Sequence, residues 1–145
     1  MRPDGVPVEK RTGRALRILL AEDNPINQRL TLRLLEKRGH AVVAAADGVE
    51  ALEALDRDVF DLVLMDVQMP QMDGFQVTAI VREREKLTGG HLPIFAMTAH
   101  VLKGDEERCL TAGMDGYIPK PISPKALIAV VESVSVPLSS AAASA

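Results

Sequence analysis

A chain of 145 residues, 47% hydrophobic and 26% charged, has the size and balance of one globular domain with a buried core. Its net charge of -3 supplies no positive field for nucleic acid or an anionic membrane surface, so direct binding of either is not expected. The single cysteine, Cys109, excludes an intrachain disulfide, and apolar stretches such as Ala41 to Ala46 fall far short of the roughly 20 residues of a membrane helix, so a soluble, unsecreted, cytoplasmic protein is expected.

Residues 1–16 mix Pro, Gly and basic side chains without apolar periodicity and read as a flexible linker, and 136–145 is a Pro, Ser and Ala tail. Between them, 17–135 reads as a single domain of alternating short apolar runs and amphipathic segments, the pattern of repeated βα units around a parallel sheet. Arg17 to Ala21 is a buried-strand run. Asn24 can cap the helix that follows, with Pro25 at its first position, Ile26, Leu30, Leu34 and Leu35 turned inward, and Gly39 stopping it after about Lys37. His40 to Ala45 is a second strand, and Asp47 and Glu50 have the spacing of a capping box for a helix to about Leu55. Asp61 to Met65 is the most hydrophobic strand and delivers Asp66 at its carboxyl end. Pro70 and Asp73-Gly74 then impose a loop before a helix from Phe75 to about Arg84. Ile94 to Met97 is a fourth strand ending at Thr98, followed by a helix from Val101 to about Ala112. Gly116 to Ile118 is a short fifth strand before Pro119, and Ser123-Pro124 caps and starts the last helix.

In an open parallel α/β sheet the loops at the carboxyl ends of the strands form the ligand crevice. The sequence puts Glu22 and Asp23, Asp66, Thr98 and Lys120 on that edge. Singly each has an ordinary explanation: Glu22-Asp23 as partners of a helix dipole, Thr98 as a helix cap, Lys120 as a surface charge. Asp66 is harder to dismiss, because a carboxylate directly after an apolar strand risks desolvation and needs a partner. Two carboxylates about 4 Å apart repel by roughly 4 kcal/mol at an effective dielectric near 20, so Asp23 and Asp66 require a compensating cation to approach ionised. Oxygen ligands without His or Cys favour Mg2+ or Mn2+. Lys120 then faces incoming phosphoryl oxygens, and a cation, a lysine and a hydroxyl around a carboxylate nucleophile are the parts phosphoryl transfer needs.

The motifs AEDNPINQ (21–28), LVLMDVQMPQMDG (62–74), FAMTA (95–99) and IPKP (118–121) occur in order and resemble those of response-regulator receiver domains over roughly Arg17 to Ser133. That resemblance implies a flavodoxin-like (βα)5 doubly wound sandwich with a five-stranded parallel sheet of order 2-1-3-4-5. It further implies that Asp66 accepts a phosphoryl group from a phosphohistidine, that Glu22, Asp23, Asp66 and the backbone carbonyl of Gln68 bind Mg2+, and that Lys120 contacts the phosphate. Thr98 is the implied switch hydroxyl and Tyr117 the rotating aromatic, with a cis peptide between Lys120 and Pro121. Gln68 and His100 occupy the positions that in the family tune the lifetime of the phosphorylated state. The implied partner is a histidine kinase or histidine phosphotransfer domain, contacting the helix from Pro25 to Lys37 and burying Ile26 or Leu30 should either be exposed.

AEDNPINQ and DVQMPQMDG are most similar to receivers of hybrid sensor histidine kinases, so a membrane-bound sensor as parent and a stand-alone regulator both remain open. His40, His91 and His100 lack a kinase-like context, and no kinase activity is expected of these residues. A single copy and a pair joined through the face of the fourth helix, fifth strand and fifth helix both fit the family. Three rivals fit less well. A haloacid-dehalogenase-like phosphatase wants a second acid where Gln68 stands, and Glu22-Asp23 would repel the phosphate of a flavodoxin-like cofactor. An interaction-only receiver would not need every expected site residue, and all are present.

Overall fold

The computed structural model describes residues 15–69, 71–98, 103–120 and 122–135, with side chains at all of these except 103–106 and 135. Its elements are β1 (Arg17–Ala21), α1 (Pro25–Lys37), β2 (Ala41–Ala45), α2 (Gly48–Arg57), β3 (Leu62–Asp66), α3 (Gly74–Thr88), β4 (Ile94–Thr98), α4 (Lys103–Thr111), β5 (Gly116–Pro119) and α5 (Pro124–Ser135). All strands pair in parallel, in the order β2-β1-β3-β4-β5, which is the expected doubly wound sheet.

Strand alternation divides the core. Leu19, Ala21, Val63, Met65, Ile94 and Ala96 face one side and pack with Ala51 and Ala54 of α2, Val77 and Val81 of α3 and Cys109 of α4. Ile18, Leu20, Leu62, Leu64, Met97 and Ile118 face the other and pack with Leu35 of α1 and Leu127 and Val131 of α5. β3, central and covered on both faces, is buried along its whole length, so the strand that carries Asp66 is anchored before the acid is reached.

Three expectations shift. Ile26 and Leu30 do not face the core: they are 70% and 57% exposed, and α1 turns Thr31 and Leu35 inward, with Leu32 and Leu34 half-buried. The helix has more apolar positions than one stripe can hold, and periodicity alone does not say which of two overlapping stripes meets the sheet. β2 begins at Ala41 rather than His40, because the buried His40 ring accepts from the Leu16 amide through Nδ1 at 3.0 Å while the Ala41 amide donates to the Leu16 carbonyl. α3 extends to Thr88, four residues past the expected end, held by Arg82 and Glu85 through contacts with the segments before β4 and β5. The end of α1 matches expectation: Gly39, at φ 93°, takes the left-handed position that an L side chain resists.

Candidate functional site

At the carboxyl edge the chain leaves β1 and enters α1 with almost no slack. The Asn24 side chain accepts from the Ile26 and Asn27 amides at 2.9 and 3.0 Å, and Pro25 fills the first helical turn. Glu22 is pinned in the turn this creates. Its amide donates to the Ala45 carbonyl at 2.9 Å, the Asn24 amide donates to its Oε2 at 3.0 Å, and Gln28 Nε2 donates to its carbonyl at 2.9 Å. Asp23, next in sequence, is exposed and open to solvent.

Asp66, 3% exposed, accepts the Gln68 amide on Oδ1 at 3.0 Å. The loop beyond it folds back so tightly that a Cβ on Gly74 would lie 2.7 Å from the Asp66 carbonyl, and one on Gly48 would overlap that of Met72. Glycine is required at both positions for close approach. Asp73 and Gln76 then form a reciprocal capping box that starts α3.

From β5, the Lys120 amide donates to the Thr98 carbonyl at 2.8 Å, and Nζ reaches Asp66 Oδ2 at 2.8 Å and Glu22 Oε1 at 3.1 Å. One ammonium therefore ties together the ends of three strands. Carboxylate oxygens of Glu22, Asp23 and Asp66 all lie within 4.8 Å of one another, and when ionised they exceed the single lysine by two negative charges. Each such pair repels by roughly 3 kcal/mol at an effective dielectric near 20. Burial foremost, then the charge of Asp66, hold the Glu22 carboxyl above its ordinary range, although the Asn24 amide and Lys120 pull the other way. For Lys120 burial is the largest single influence and lowers it, but the bonds and charges of Asp66 and Glu22 together outweigh burial and hold the ammonium above 10.5. An all-oxygen cluster with excess charge and one solvent-open acid suits a hard divalent cation that keeps part of its water.

The expected residues thus fall into groups. Glu22, Asp23, Asp66 and Lys120 meet in one cluster, with the Gln68 backbone at its edge. Thr98 is buried at the end of β4 and lines a cavity of about 200 Å³ with Gln68, Asp73, Phe75, Arg108 and Cys109. Tyr117 is half-buried against the core under α2, α3 and α4. His100 and Pro121, and with Pro121 the expected cis bond, lie outside the described residues. Gln28 and Gly48 escaped the reading of the sequence, since a polar residue within a helix and a glycine in its first turn carry no signal of what they touch. The capping box of α3 also went unread, since Asp73-Gly74 reads first as a loop signal.

The description "Response regulator receiver domain" matches residues 18–132. A hybrid signal transduction histidine kinase of Dictyostelium discoideum is 45% identical over 122 residues, covering 81% of the chain, and the chain spans only 7% of that protein's length. The receiver domain of a sensor histidine kinase of Pseudomonas aeruginosa, solved with a magnesium ion coordinated in its active site cleft, is 36% identical with TM-score 0.73 and covers 85% of the chain and 98% of its own. The receiver domain of a Saccharomyces cerevisiae response regulator, solved with its upstream histidine phosphotransfer signalling protein, is 26% identical with TM-score 0.81, covering 86% of the chain and 92% of its own.

Proposed function

The chain belongs to the response-regulator receiver family, a receiver domain of two-component phosphorelay signalling, and on that premise we propose that Asp66 is its phosphoacceptor. The observation that carries this reading is Lys120 Nζ bridging Asp66 and Glu22 beside Asp23, a crowded carboxylate cluster at the ends of three strands. Receiver domains bind magnesium at an acidic site, and here Glu22, Asp23, Asp66 and the Gln68 carbonyl are the groups that would hold it, with manganese as a substitute of the same oxygen preference. Bound there, the cation supplies positive charge against the carboxylates and the phosphoryl oxygens.

An Asp66 carboxylate oxygen attacks phosphorus in line with the phosphohistidine nitrogen. The new O–P bond forms as the N–P bond breaks, and the departing imidazole takes a proton from solvent. The Gln68 amide holds Oδ1 and so orients the nucleophile. Lys120, bonded to Asp66 before transfer, contacts the phosphoryl oxygens and offsets the negative charge they carry. Thr98 then turns toward the phosphoryl group and Tyr117 moves into the space it leaves, a population shift that remodels the face of α4, β5 and α5. That face is where two copies would pair. Gln68 and His100 set how readily water removes the phosphoryl group.

The donor is a histidine kinase or histidine phosphotransfer domain that docks on the exposed Ile26 and Leu30 of α1. No helix among the described residues is long and apolar enough to cross a membrane, and a membrane-bound hybrid sensor as parent with its receiver in the cytoplasm fits the kinase relatives.

Intact mass after incubation with magnesium and a small-molecule phosphodonor tests the acceptor. One phosphoryl adduct is expected, absent in Asp66→Asn and absent with chelator. An adduct that persists in Asp66→Asn would refute the assignment.

A further inference from the structure

We propose that Gln28 is a positioning residue for the magnesium site, its carboxamide holding the Glu22-Asp23 turn in the geometry that accepts the cation; this rests on the reading of the acidic cluster given above. Gln28 lies one turn into α1, half-buried, and its side-chain bonds go to backbone carbonyls rather than to the clustered carboxylates. Its Nε2 donates to the Glu22 carbonyl at 2.9 Å and approaches the Ala45 carbonyl at 3.5 Å. Ala45 is the last residue of β2, and its carbonyl also receives the Glu22 amide. The side chain therefore ties three elements at one point: the helix, the end of the neighbouring strand and the turn that carries two of the clustered acids.

The turn has a specific need for such a tie. Glu22 is 1% exposed, so its carbonyl has little water to turn to, while Asp23 one residue later is exposed and swings about that same peptide. The Asn24 amide and Lys120 fix the Glu22 side chain from its carboxylate end, and Gln28 fixes it from its backbone. With the carboxamide gone, the Glu22-Asp23 peptide loses the bond that sets its orientation, and the angle between the two acids is no longer defined. Groups that orient ligands in this way typically cost about 10–100-fold in metal affinity when removed.

The test is calorimetric titration of the unphosphorylated full chain with magnesium alone, for wild type, Gln28→Met and Gln28→Leu, beside thermal unfolding in chelator. Both replacements favour a helix and keep similar bulk without an N–H. The expected result is a dissociation constant on the order of tenfold higher in a variant whose unfolding midpoint stays within about 3 °C of wild type. Phosphorylation by a small-molecule donor should then half-saturate at correspondingly higher magnesium, with its rate at saturating magnesium within about twofold of wild type. A folded variant with an unchanged dissociation constant overturns the proposal. Unfolding of both variants overturns it too, since Gln28 would then hold the fold rather than the site. Wild type that takes no magnesium would instead sink the metal reading of the cluster, and this inference with it.

Discussion

The two ends of the sheet both gather acids and bases, but they spend them differently. At the amino ends of the strands Arg82 donates to the Gly113 and Leu92 carbonyls and to Glu85 and Asp115, all between 2.8 and 3.0 Å. Asp115 also takes the Ile94 amide at 2.8 Å and lies 2.6 Å from His91 Nε2, while Glu85 takes the Leu92 amide at 2.7 Å. Each of the two carboxylates there takes an arm of the Arg82 guanidinium and a backbone amide, and the network closes α3 onto β4 and the segment before β5. At the carboxyl ends three acids cluster around one ammonium that bonds only Glu22 and Asp66. The amino edge sets two carboxylates against one guanidinium and the carboxyl edge three against one ammonium, so the larger excess of negative charge, with Glu22 and Asp66 the more deeply buried acids, lies where an ion can be held.

The largest effect that contrast predicts lies at the amino edge. Arg82→Ala removes donors from two carbonyls and two carboxylates at once, and a loss of about 3 kcal/mol of stability is expected, read by denaturant unfolding. Magnesium affinity should stay as it was. Loss of magnesium binding in a folded Arg82→Ala would show that the two edges are not independent.

The converse change is Asp23→Asn. It removes one negative charge from the crowded edge, so metal-free stability should hold or rise, while the magnesium dissociation constant climbs on the order of 100-fold. Calorimetry and thermal unfolding in chelator read the two halves separately. A destabilised Asp23→Asn with unaltered magnesium binding would turn the carboxyl edge into a second structural network.

How much of this was legible from the residues differs between the edges in the same way. Glu22, Asp23, Asp66 and Lys120 could be brought together on paper because each follows a strand, and strand order carries them to one edge. The Arg82 network could not: Arg82 lies in a helix and Asp115 in a connection, 33 residues apart, and nothing in either neighbourhood marks them as partners. The strands were found almost to the residue because buried apolar runs have sharp ends. The face of α1 was misjudged because Ile26 and Leu30 form a plausible stripe that only packing against the sheet rejects. Gly48 carried no signal in its own neighbourhood, because its close approach to Met72 depends on where another loop arrives.

A smaller effect should appear on that rejected stripe. Ile26 and Leu30 are exposed on α1, the helix that follows Glu22 and Asp23, where a protein donor would dock on the function proposed above. Ile26→Ala and Leu30→Ala are each expected to slow transfer from a phosphohistidine protein by roughly three- to tenfold, the range expected for truncating one apolar interface side chain. Phosphorylation by a small molecule should be unaffected. Equal slowing with both donors would mean that the stripe supports the site internally, and the contrast between an anchored amino edge and an accessible carboxyl edge would weaken.

The finest test uses pH. Glu22 is held above the ordinary carboxylate value of 4.5, chiefly by burial and then by Asp66, so the folded chain keeps its proton more tightly than the unfolded chain does. Below pH 4.5 both states are protonated and this contribution to stability is fully present. As pH rises through the folded value of Glu22 the buried carboxyl must ionise, and the contribution is lost. Lys120, raised above 10.5, supplies stability that disappears only at still higher pH and does not intrude on this window. In chelator, wild type should therefore lose stability relative to Glu22→Gln as pH climbs from about 4.5 toward neutrality. Magnesium should flatten or reverse the wild-type slope, because the cation favours the ionised carboxylate. Parallel curves for the two proteins in chelator would mean that Asn24 and Lys120 already satisfy an ionised Glu22, leaving the carboxyl edge as balanced as the amino edge.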